Sequence, residues 1–122
     1  MAKILIVDDS RFARLKLSEN IKEGGFEISE AADGEEGLKR VREEKPDIII
    51  CDLLMPVMDG FGFLEQLKLE GFTIPVLILT SDIQDKTREK ALEKGAIGLI
   101  NKPPKYTEVI EQLHEILRER TC

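Results

Sequence analysis

Reactive side chains follow the short apolar runs of this sequence, at the point where each run ends. A run of three isoleucines and a cysteine ends at Asp52, and an earlier run ends at Asp8 and Asp9. Further along the chain, Thr80 closes one apolar run and Lys102 lies just beyond another. Carboxylates suit a hard divalent cation, whereas a hydroxyl and an ammonium suit the oxygens of a phosphoryl group. The pattern therefore indicates chemistry that involves a metal and a phosphoryl group.

The composition of the chain limits the classes of protein to which it can belong. Its 122 residues suit one domain that buries about two thirds of the surface of the unfolded chain. Because 24 acidic side chains outnumber 18 basic ones, the net charge is −6 and we expect no direct binding of nucleic acid. The N-terminal apolar run stops at two aspartates, so it predicts neither a secretory signal nor a membrane span. We expect a cytoplasmic protein without membrane contact, either a monomer or a weak dimer.

The two cysteines and the one histidine do not form a reactive group. Cys51 lies inside a predicted strand and Cys122 ends the sequence, so their spacing matches neither a CxxC motif nor a zinc site. We expect Cys51 to pack in the core and Cys122 to be an exposed thiol without a partner. His114 lies at the margin of the apolar stripe of the last helix, where we expect a partly packed surface residue and not a phosphoryl donor.

Short apolar runs alternate with longer segments of helical period along the whole chain. This alternation is typical of a parallel sheet covered by helices on both faces. Three runs are continuously apolar, as expected for strands buried on both faces, whereas Glu27, Ser29 and Glu30 predict an edge position for the second strand. The predicted strands are Lys3 to Val7, Phe26 to Ala31, Ile48 to Cys51, Val76 to Thr80 and Gly98 to Asn101.

The predicted helices differ in how much apolar surface they can bury. The apolar stripe of the last helix consists of Tyr106, Val109, Ile110, Leu113, Ile116 and Leu117. In the fourth helix, between Asp85 and Lys94, only Ala91 and Leu92 are apolar, so this helix should be weakly held. It is either an ordinary solvated surface helix or a segment that shifts easily when a neighbouring site changes, and both interpretations stay open.

The predicted strand ends should lie together in space. In an open α/β sheet, ligands bind beyond the carboxyl ends of the strands, at the point where the strand order reverses. Asp8, Asp9 and Asp52 would meet there, and three carboxylates in one cleft repel one another and attract a cation such as Mg²⁺. Taken alone, Asp8 and Asp9 are better explained as solvated loop acids. Together with Asp52, Thr80 and Lys102, they predict a metal site.

The order and spacing of these residues resemble one known family. The residues that carry the resemblance are Asp8, Asp9, Asp52, Met55, Pro56, Asp59, Gly60, Thr80, Lys102 and Pro103. They resemble the receiver domain of two-component response regulators over essentially all 122 residues, with a size similar to the stand-alone chemotaxis response regulator. The resemblance implies one receiver domain over residues 1–122. Its implied fold is α/β and flavodoxin-like, a doubly wound five-stranded parallel sheet of order 2-1-3-4-5 with five helices.

The resemblance also implies a role for each residue of the site. Asp52 would accept a phosphoryl group from a phosphohistidine on a sensor histidine kinase or a phosphotransfer protein. The implied ligands of Mg²⁺, or of Mn²⁺ in its place, are Asp9, Asp52, the backbone carbonyl of Leu54 and, largely through water, Asp8. Lys102 and Thr80 would bind phosphoryl oxygens. The peptide between Lys102 and Pro103 is implied to be cis, which would hold the ammonium over the pocket. Asp59 and Gly60 are expected to shape the loop and begin the third helix.

A response transmitted to a downstream protein target is implied as well. If Thr80 is drawn towards the phosphoryl group, the fourth helix can move and change the face formed by helix 4, strand 5 and helix 5. The family couples this movement to an aromatic residue at the position of Leu99, so leucine predicts a weaker switch. Pro104 also stands where the family often has an aromatic residue. Leu54 and Asp82 are expected to flank the path of the attacking water and to tune the lifetime of the phosphoryl group, in a direction that stays open.

Three alternatives to a stand-alone phosphorylated receiver stay open. The first is an interaction module of this fold that does not use phosphate. The second is a receiver cut from a longer regulator with an output domain, and the third is an aspartate-nucleophile hydrolase. The complete set of site residues argues against the first. The hydrolase ranks last, because Leu54 occupies the position where such enzymes carry a second aspartate as general acid. We therefore expect a signalling phosphoacceptor and not an enzyme, with catalysis limited to its own phosphorylation and dephosphorylation.

Overall fold

The chain alternates five strands with five helices, and the computed structural model describes residues 1–121. The expectation for Cys122 lies outside the described residues. The strands are β1 (Lys3–Val7), β2 (Glu27–Ala31), β3 (Ile48–Asp52), β4 (Val76–Thr80) and β5 (Gly98–Asn101). The helices are α1 (Arg11–Glu23), α2 (Gly34–Glu44), α3 (Gly60–Leu69), α4 (Asp85–Glu93) and α5 (Tyr106–Thr121).

The strands form one parallel sheet in the order β2-β1-β3-β4-β5, which confirms the predicted doubly wound fold. The predicted edge position of β2 is confirmed too, and β3 extends to Asp52, one residue beyond the predicted end. β2 begins at Glu27, one residue after the predicted start. Because the register pairs Cys51 with Val7 and with Ile78, the carboxyl ends of β1, β3 and β4 lie at the same edge of the sheet.

The sheet has an apolar core on each face, which explains why its central strands are continuously apolar. In β1, Leu5 and Val7 face the core formed with α2 and α3, while Ile4 and Ile6 face the core formed with α1 and α5. The predicted stripe of α5 enters the second core, as its buried members Val109, Leu113 and Ile116 show. Within residues 1–121, no helix combines the length and the apolar character needed to cross a membrane.

Helix α4 is held mainly by polar contacts. Ala91 is its one fully buried residue, which agrees with the weak burial predicted from the sequence. A salt bridge from Lys94 to Glu65 and the ammonium of Lys90, 4.3 Å from the centre of the Phe61 ring, connect this part of the chain to α3. Exposed contacts of these two kinds contribute roughly 1 kcal/mol or less each. Displacing α4 therefore costs less than displacing a helix with a full apolar stripe.

The loop between β3 and α3 contains a residue in a strained conformation. Val57 has a φ of 69°, in the left-handed region that β-branched residues avoid. The Met58 N–H donates to the carbonyl oxygen of Pro56 at 2.7 Å and closes a three-residue turn around Val57. The Val57 side chain is exposed, so little packing compensates for the strain.

We expect Val57→Asn to stabilise the protein, because asparagine adopts positive φ more readily than valine. The gain should be about 1 kcal/mol, the lower end of the cost of such strain. Urea unfolding measures it. Val57→Ala is the matched control, since alanine keeps a Cβ and should recover less of the strain. A midpoint for Val57→Asn at or below that of the unmodified protein would contradict the strain.

Candidate functional site

Carboxylates from two strand ends and one ammonium meet at the carboxyl edge of the sheet. Asp8 and Asp9 follow β1, Asp52 ends β3, and one carboxylate oxygen of each lies within 4.8 Å of the others. The Nζ atom of Lys102, which follows β5, lies 2.9 Å from Oδ2 of Asp8 and 3.3 Å from Oδ2 of Asp52. The structure therefore brings together the four charged residues that the sequence selected.

The turn between β1 and α1 fixes Asp8 and leaves Asp9 exposed. The Asp8 N–H donates to the carbonyl oxygen of Ala31 at 3.1 Å, and Oδ1 of Asp8 accepts the N–H of Ser10 at 2.9 Å. Ser10 also begins α1, because its hydroxyl oxygen accepts the N–H of Ala13. The Asp8 carboxylate is thus buried and bonded on both oxygens, whereas the Asp9 side chain faces solvent.

The turn between β3 and α3 is held against the backbone of the strand end. Asp59 begins α3 by accepting the N–H of Gly62 at 2.8 Å, and the Gly60 N–H donates to the Leu53 carbonyl oxygen at 2.8 Å. A Cβ on Gly60 would lie only 2.8 Å from the carbonyl oxygen of Asp52, so the close approach requires glycine. Asp59 and Gly60 thus shape this loop and begin the helix, as expected from the sequence.

Two neighbours of Asp52 have opposite environments. Cys51 is fully buried, as predicted, and its thiol donates to the carbonyl oxygen of Asp52 at 3.2 Å. Burial raises the pKa of this thiol well above its usual value, so it stays protonated. Leu54 lies in the loop that follows, with 70% of its surface exposed.

Thr80 is connected to α4 through Asp82. The hydroxyl oxygen of Thr80 accepts the N–H of Asp82 at 3.1 Å. The Asp82 carboxylate accepts the N–H of Gln84 at 3.1 Å on one oxygen and the hydroxyl of Thr87 at 2.8 Å on the other. Asp82 therefore ties the end of β4 to the first turn of α4, a contact that the sequence pattern did not reveal.

Strand β5 places Leu99 and Lys102 relative to Thr80. Leu99 pairs with Ile78 in the register, so it lies on the same face of the sheet as Thr80. It is partly buried and packs against the core beneath α3 and α4. The Lys102 N–H donates to the carbonyl oxygen of Thr80 at 2.9 Å, and the peptide between Lys102 and Pro103 is cis.

Comparison with known proteins identifies the family. Residues 4–114 match the response regulator receiver domain. The chain belongs to this family. Receiver domains of two-component response regulators are signalling domains, and they bind Mg²⁺ at an acidic pocket of the kind that Asp8, Asp9 and Asp52 form here.

Two curated relatives are receiver-containing regulators about twice as long. The alkaline phosphatase synthesis transcriptional regulatory protein PhoP of Bacillus subtilis is 36% identical over 95% of this chain and 48% of its own length. The response regulator MprA of Mycolicibacterium vanbaalenii is 32% identical over 98% of this chain and 52% of its own length. This receiver chain therefore spans about half the length of the curated relatives it matches.

Solved structures of similar proteins have the same fold. The chemotaxis protein CheY4 of Vibrio cholerae has a TM-score of 0.90 at 33% identity, covering 95% of this receiver and 98% of CheY4. The receiver domain of the Francisella response regulator 1452 has a TM-score of 0.94 at 25% identity, covering 98% and 99% of the two chains. The similarity extends over nearly the whole of each of these chains.

The receiver's acidic pocket holds more negative charge than its lysine neutralises. Burial raises the pKa of Asp52, the carboxylate of Asp8 raises it further, and Lys102 opposes both effects. Burial lowers the pKa of Lys102, but its contacts with Asp8 and Asp52 outweigh burial and raise that pKa overall. A crowded, oxygen-only donor set that retains an unfavourable negative charge fits a hard divalent cation such as Mg²⁺.

Arg14 also contributes to this pocket, although no motif identified it. Its guanidinium donates to the backbone carbonyl oxygen of Asp8 at 2.7 Å and to the carboxylate of Glu30 at 3.1 Å. The one available signal was its place near the N-terminus of α1, where the helix dipole disfavours a cation unless a tertiary partner compensates. The partner itself comes from β2, too far along the chain for a local pattern to reveal.

Asp52→Asn should stabilise the receiver at neutral pH in the absence of divalent cations. Because folding raises the pKa of Asp52, ionisation of this carboxyl favours the unfolded chain, and an uncharged amide removes that penalty. The gain equals the free energy by which folding disfavours the ionised carboxylate. It should shrink as the pH falls through the raised pKa and disappear below the pKa of the unfolded chain.

Urea unfolding in EDTA at neutral and acidic pH measures this difference. Glu19→Gln, which removes an exposed acid from α1, is the control and should change stability little at either pH. Equal stability of Asp52→Asn and the unmodified receiver at neutral pH would contradict the electrostatic penalty at Asp52.

Proposed function

We propose that this receiver accepts a phosphoryl group on Asp52 from a phosphohistidine of a sensor histidine kinase or a phosphotransfer protein. The observation that carries the proposal is the position of Asp52, a strand-end carboxylate that is 9% exposed and lies beside two further carboxylates and a lysine. In the transfer, a carboxylate oxygen of Asp52 forms a bond to phosphorus while the bond from phosphorus to the histidine nitrogen breaks. The products are an aspartyl phosphate and a free histidine on the partner.

A divalent cation would be held directly by the carboxylates of Asp9 and Asp52 and by the backbone carbonyl of Leu54, and largely through water by Asp8. Mg²⁺ suits these oxygen donors, and Mn²⁺ can replace it. When bound, the cation neutralises charge on the phosphoryl oxygens and so reduces their repulsion by the carboxylates. Asp8 is already fixed by two hydrogen bonds to its carboxylate, so it provides a rigid side of the pocket.

Lys102 and Thr80 would bind the phosphoryl oxygens directly. The ammonium of Lys102 lies within 3.3 Å of Asp52, so a small movement brings it to an oxygen on the new phosphoryl group. The hydroxyl oxygen of Thr80 accepts the N–H of Asp82, which leaves its own O–H to donate to a second phosphoryl oxygen.

We propose that a protein partner covers the site, because large apolar side chains surround the acidic pocket. Phe12 at the start of α1, Leu54 and Val57 after β3, and Ile83 after β4 are all exposed at this edge of the sheet. Exposed apolar groups around a charged centre are typical of a protein contact. They also favour a receiver over a hydrolase for small phosphoesters, which needs an enclosed site.

We place the output on the face formed by α4, β5 and α5. A movement of Thr80 towards the phosphoryl group would pull on the backbone of Asp82, and through Asp82 on Thr87 in α4. Because α4 buries only Ala91, this pull acts on a helix that moves at low cost. Leu99 lies on the same face as Thr80 and can fill space that Thr80 leaves, although with less area than an aromatic ring.

The lifetime of the phosphoryl group would depend on Leu54 and Asp82, which flank the proposed path of the attacking water. The apolar, exposed side chain of Leu54 cannot orient a water molecule. Both oxygens of Asp82 already accept hydrogen bonds from Gln84 and Thr87, so water competes with α4 for this carboxylate. We propose that a shift of α4 changes the lifetime of the phosphoryl group, because it changes whether the Asp82 carboxylate is free to bind the attacking water.

Intact-mass measurement after incubation with acetyl phosphate and Mg²⁺ tests the phosphoacceptor. We expect one phosphoryl adduct that base removes, present in the unmodified receiver and absent in Asp52→Asn. Asp85→Asn, which changes an exposed carboxylate on α4, should keep the adduct. The proposal would be contradicted by the absence of an adduct under conditions that label a control receiver. An adduct that persists in Asp52→Asn would contradict it as well.

The contact between Asp82 and Thr87 can be tested without phosphorylation. Thr87→Val keeps the side-chain shape but removes the hydroxyl, so the α4 amides from Arg88 onward, the first that bond within the helix, should exchange with solvent about fivefold faster, as expected for loss of ~1 kcal/mol. Thr87→Ser retains a hydroxyl and is the matched control. Native-state hydrogen exchange followed by NMR measures both. Equal exchange in Thr87→Val and Thr87→Ser would rule out a stabilising contact.

A further inference from the structure

Arg14 lies between α1, β2 and the turn that carries two of the acidic residues. Its side chain is 16% exposed, so the guanidinium is largely removed from solvent. Nη1 donates to the backbone carbonyl oxygen of Asp8 at 2.7 Å, and Nε donates to Oε1 of Glu30 at 3.1 Å. The guanidinium is charged in both bonds, and the bond to Asp8 is also short, so the contact has a defined geometry.

The carbonyl oxygen that Arg14 binds belongs to the peptide between Asp8 and Asp9. Because a peptide is planar, fixing its oxygen and the Asp8 end of the unit also fixes the Cα atom of Asp9. The Asp8 end is held by the bond from its N–H to the carbonyl oxygen of Ala31 at 3.1 Å. Arg14 therefore holds the peptide on the N-terminal side of Asp9, while the Ser10 N–H bonded to Asp8 holds the peptide on its C-terminal side.

The two carboxylates of this turn differ in how they are held. Ser10 and Lys102 bond to the Asp8 carboxylate, so the Asp8 side chain has its own restraints. Asp9 is exposed, and within residues 1–121 no hydrogen bond or ion pair of its side chain is found. The position of the Asp9 carboxylate therefore depends on its backbone.

We infer that Arg14 is a positioning residue for the divalent cation, because it holds the peptide that places the Asp9 carboxylate. This inference rests on the proposed function, in which Asp9 is a ligand. Metal ligands bind best when their positions are set before the ion arrives, and residues that orient a ligand commonly affect affinity although they never touch the metal. Arg14 touches neither the cation nor the phosphoryl group.

A positioning role and a simple effect of charge predict opposite results. If Arg14 acted only through its positive charge, removing that charge would reduce repulsion of the cation and strengthen Mg²⁺ binding. If Arg14 positions Asp9, removing it weakens Mg²⁺ binding despite the more negative pocket. A role in fold stability alone would lower the unfolding midpoint and leave the affinity of the folded receiver unchanged.

Titration of ¹⁵N-labelled receiver with MgCl₂, followed by two-dimensional NMR well below the unfolding midpoint, measures affinity in the folded protein. For Arg14→Gln we expect Kd to rise about tenfold, the lower end of the range for residues that orient metal ligands. For Arg14→Lys, which keeps the charge but cannot donate to both partners in the same way, we expect a smaller rise. If Arg14→Gln does not fold, Arg14→Lys still tests the inference.

Two control variants separate the alternatives. Arg11→Gln removes an exposed arginine from the same end of α1 and should leave Kd unchanged or lower it. Arg42→Gln breaks the paired hydrogen bonds to Glu70 at the opposite edge of the sheet and should affect stability but not Kd.

The outcomes distinguish this inference from the proposed function. If the unmodified receiver binds Mg²⁺ and Arg14→Gln binds it equally well or more tightly, the positioning role is wrong and the phosphoacceptor proposal stands. If the unmodified receiver shows no saturable Mg²⁺ binding, the metal requirement of the proposed function is wrong, and the role of Arg14 is wrong with it. A weaker affinity in Arg14→Gln and Arg14→Lys, with no rise in Kd for either control, supports the inference.

Discussion

The repulsion between carboxylates at one edge of the sheet is the constraint on which this receiver depends. The register of the parallel strands places Asp8 and Asp52 side by side, and Lys102 is the cation in direct contact with both. The raised pKa of Asp52 indicates that Lys102 does not fully offset burial and the charge of Asp8. Apolar packing on both faces of the sheet supplies the free energy that keeps these charges together. A divalent cation would relieve this repulsion, which is the physical reason for proposing a metal site in this pocket.

The loops around the pocket are restrained to different degrees. The first is fixed through Ser10 and Arg14, and the second is fixed by the close approach of Gly60 to the strand backbone. The third, after β4, is tied through Asp82 to α4, which is itself weakly held. Two sides of the pocket are thus held by hydrogen bonds and close backbone contact, while the side that carries Thr80 is tied to a helix that buries little. This asymmetry suits a site in which the chemistry needs fixed ligands and the signal needs a movable element.

The strands, the helices and the main site residues could be predicted from the sequence because they depend on local patterns, whereas the strand order came from the resemblance to a family. Apolar runs identify the strands, and helical periods identify α5. The residues just after the runs identify the charged group that meets at one edge, which consists of Asp8, Asp9, Asp52 and Lys102. The contacts of Arg14 with Glu30 and of Asp82 with Thr87 depend on where the helices pack, and several donors and acceptors of equal quality compete for each. The positive φ of Val57 was equally hidden, because valine gives no local signal for that conformation.

Leu99 stands where the family usually has an aromatic residue. The proposed coupling between the phosphoryl site and α4 would therefore depend more on hydrogen bonds than on apolar packing. Coupling between two sites in a protein typically amounts to about 1–3 kcal/mol. One intramolecular hydrogen bond contributes about 1 kcal/mol. The bonds donated by the Asp82 N–H to Thr80 and by the Thr87 hydroxyl to Asp82 are each comparable in size to the lower end of such coupling, without the area that an aromatic ring would bury. We therefore propose the path through Asp82 as the route by which a movement of Thr80 would act on α4, with Leu99 only permitting that movement.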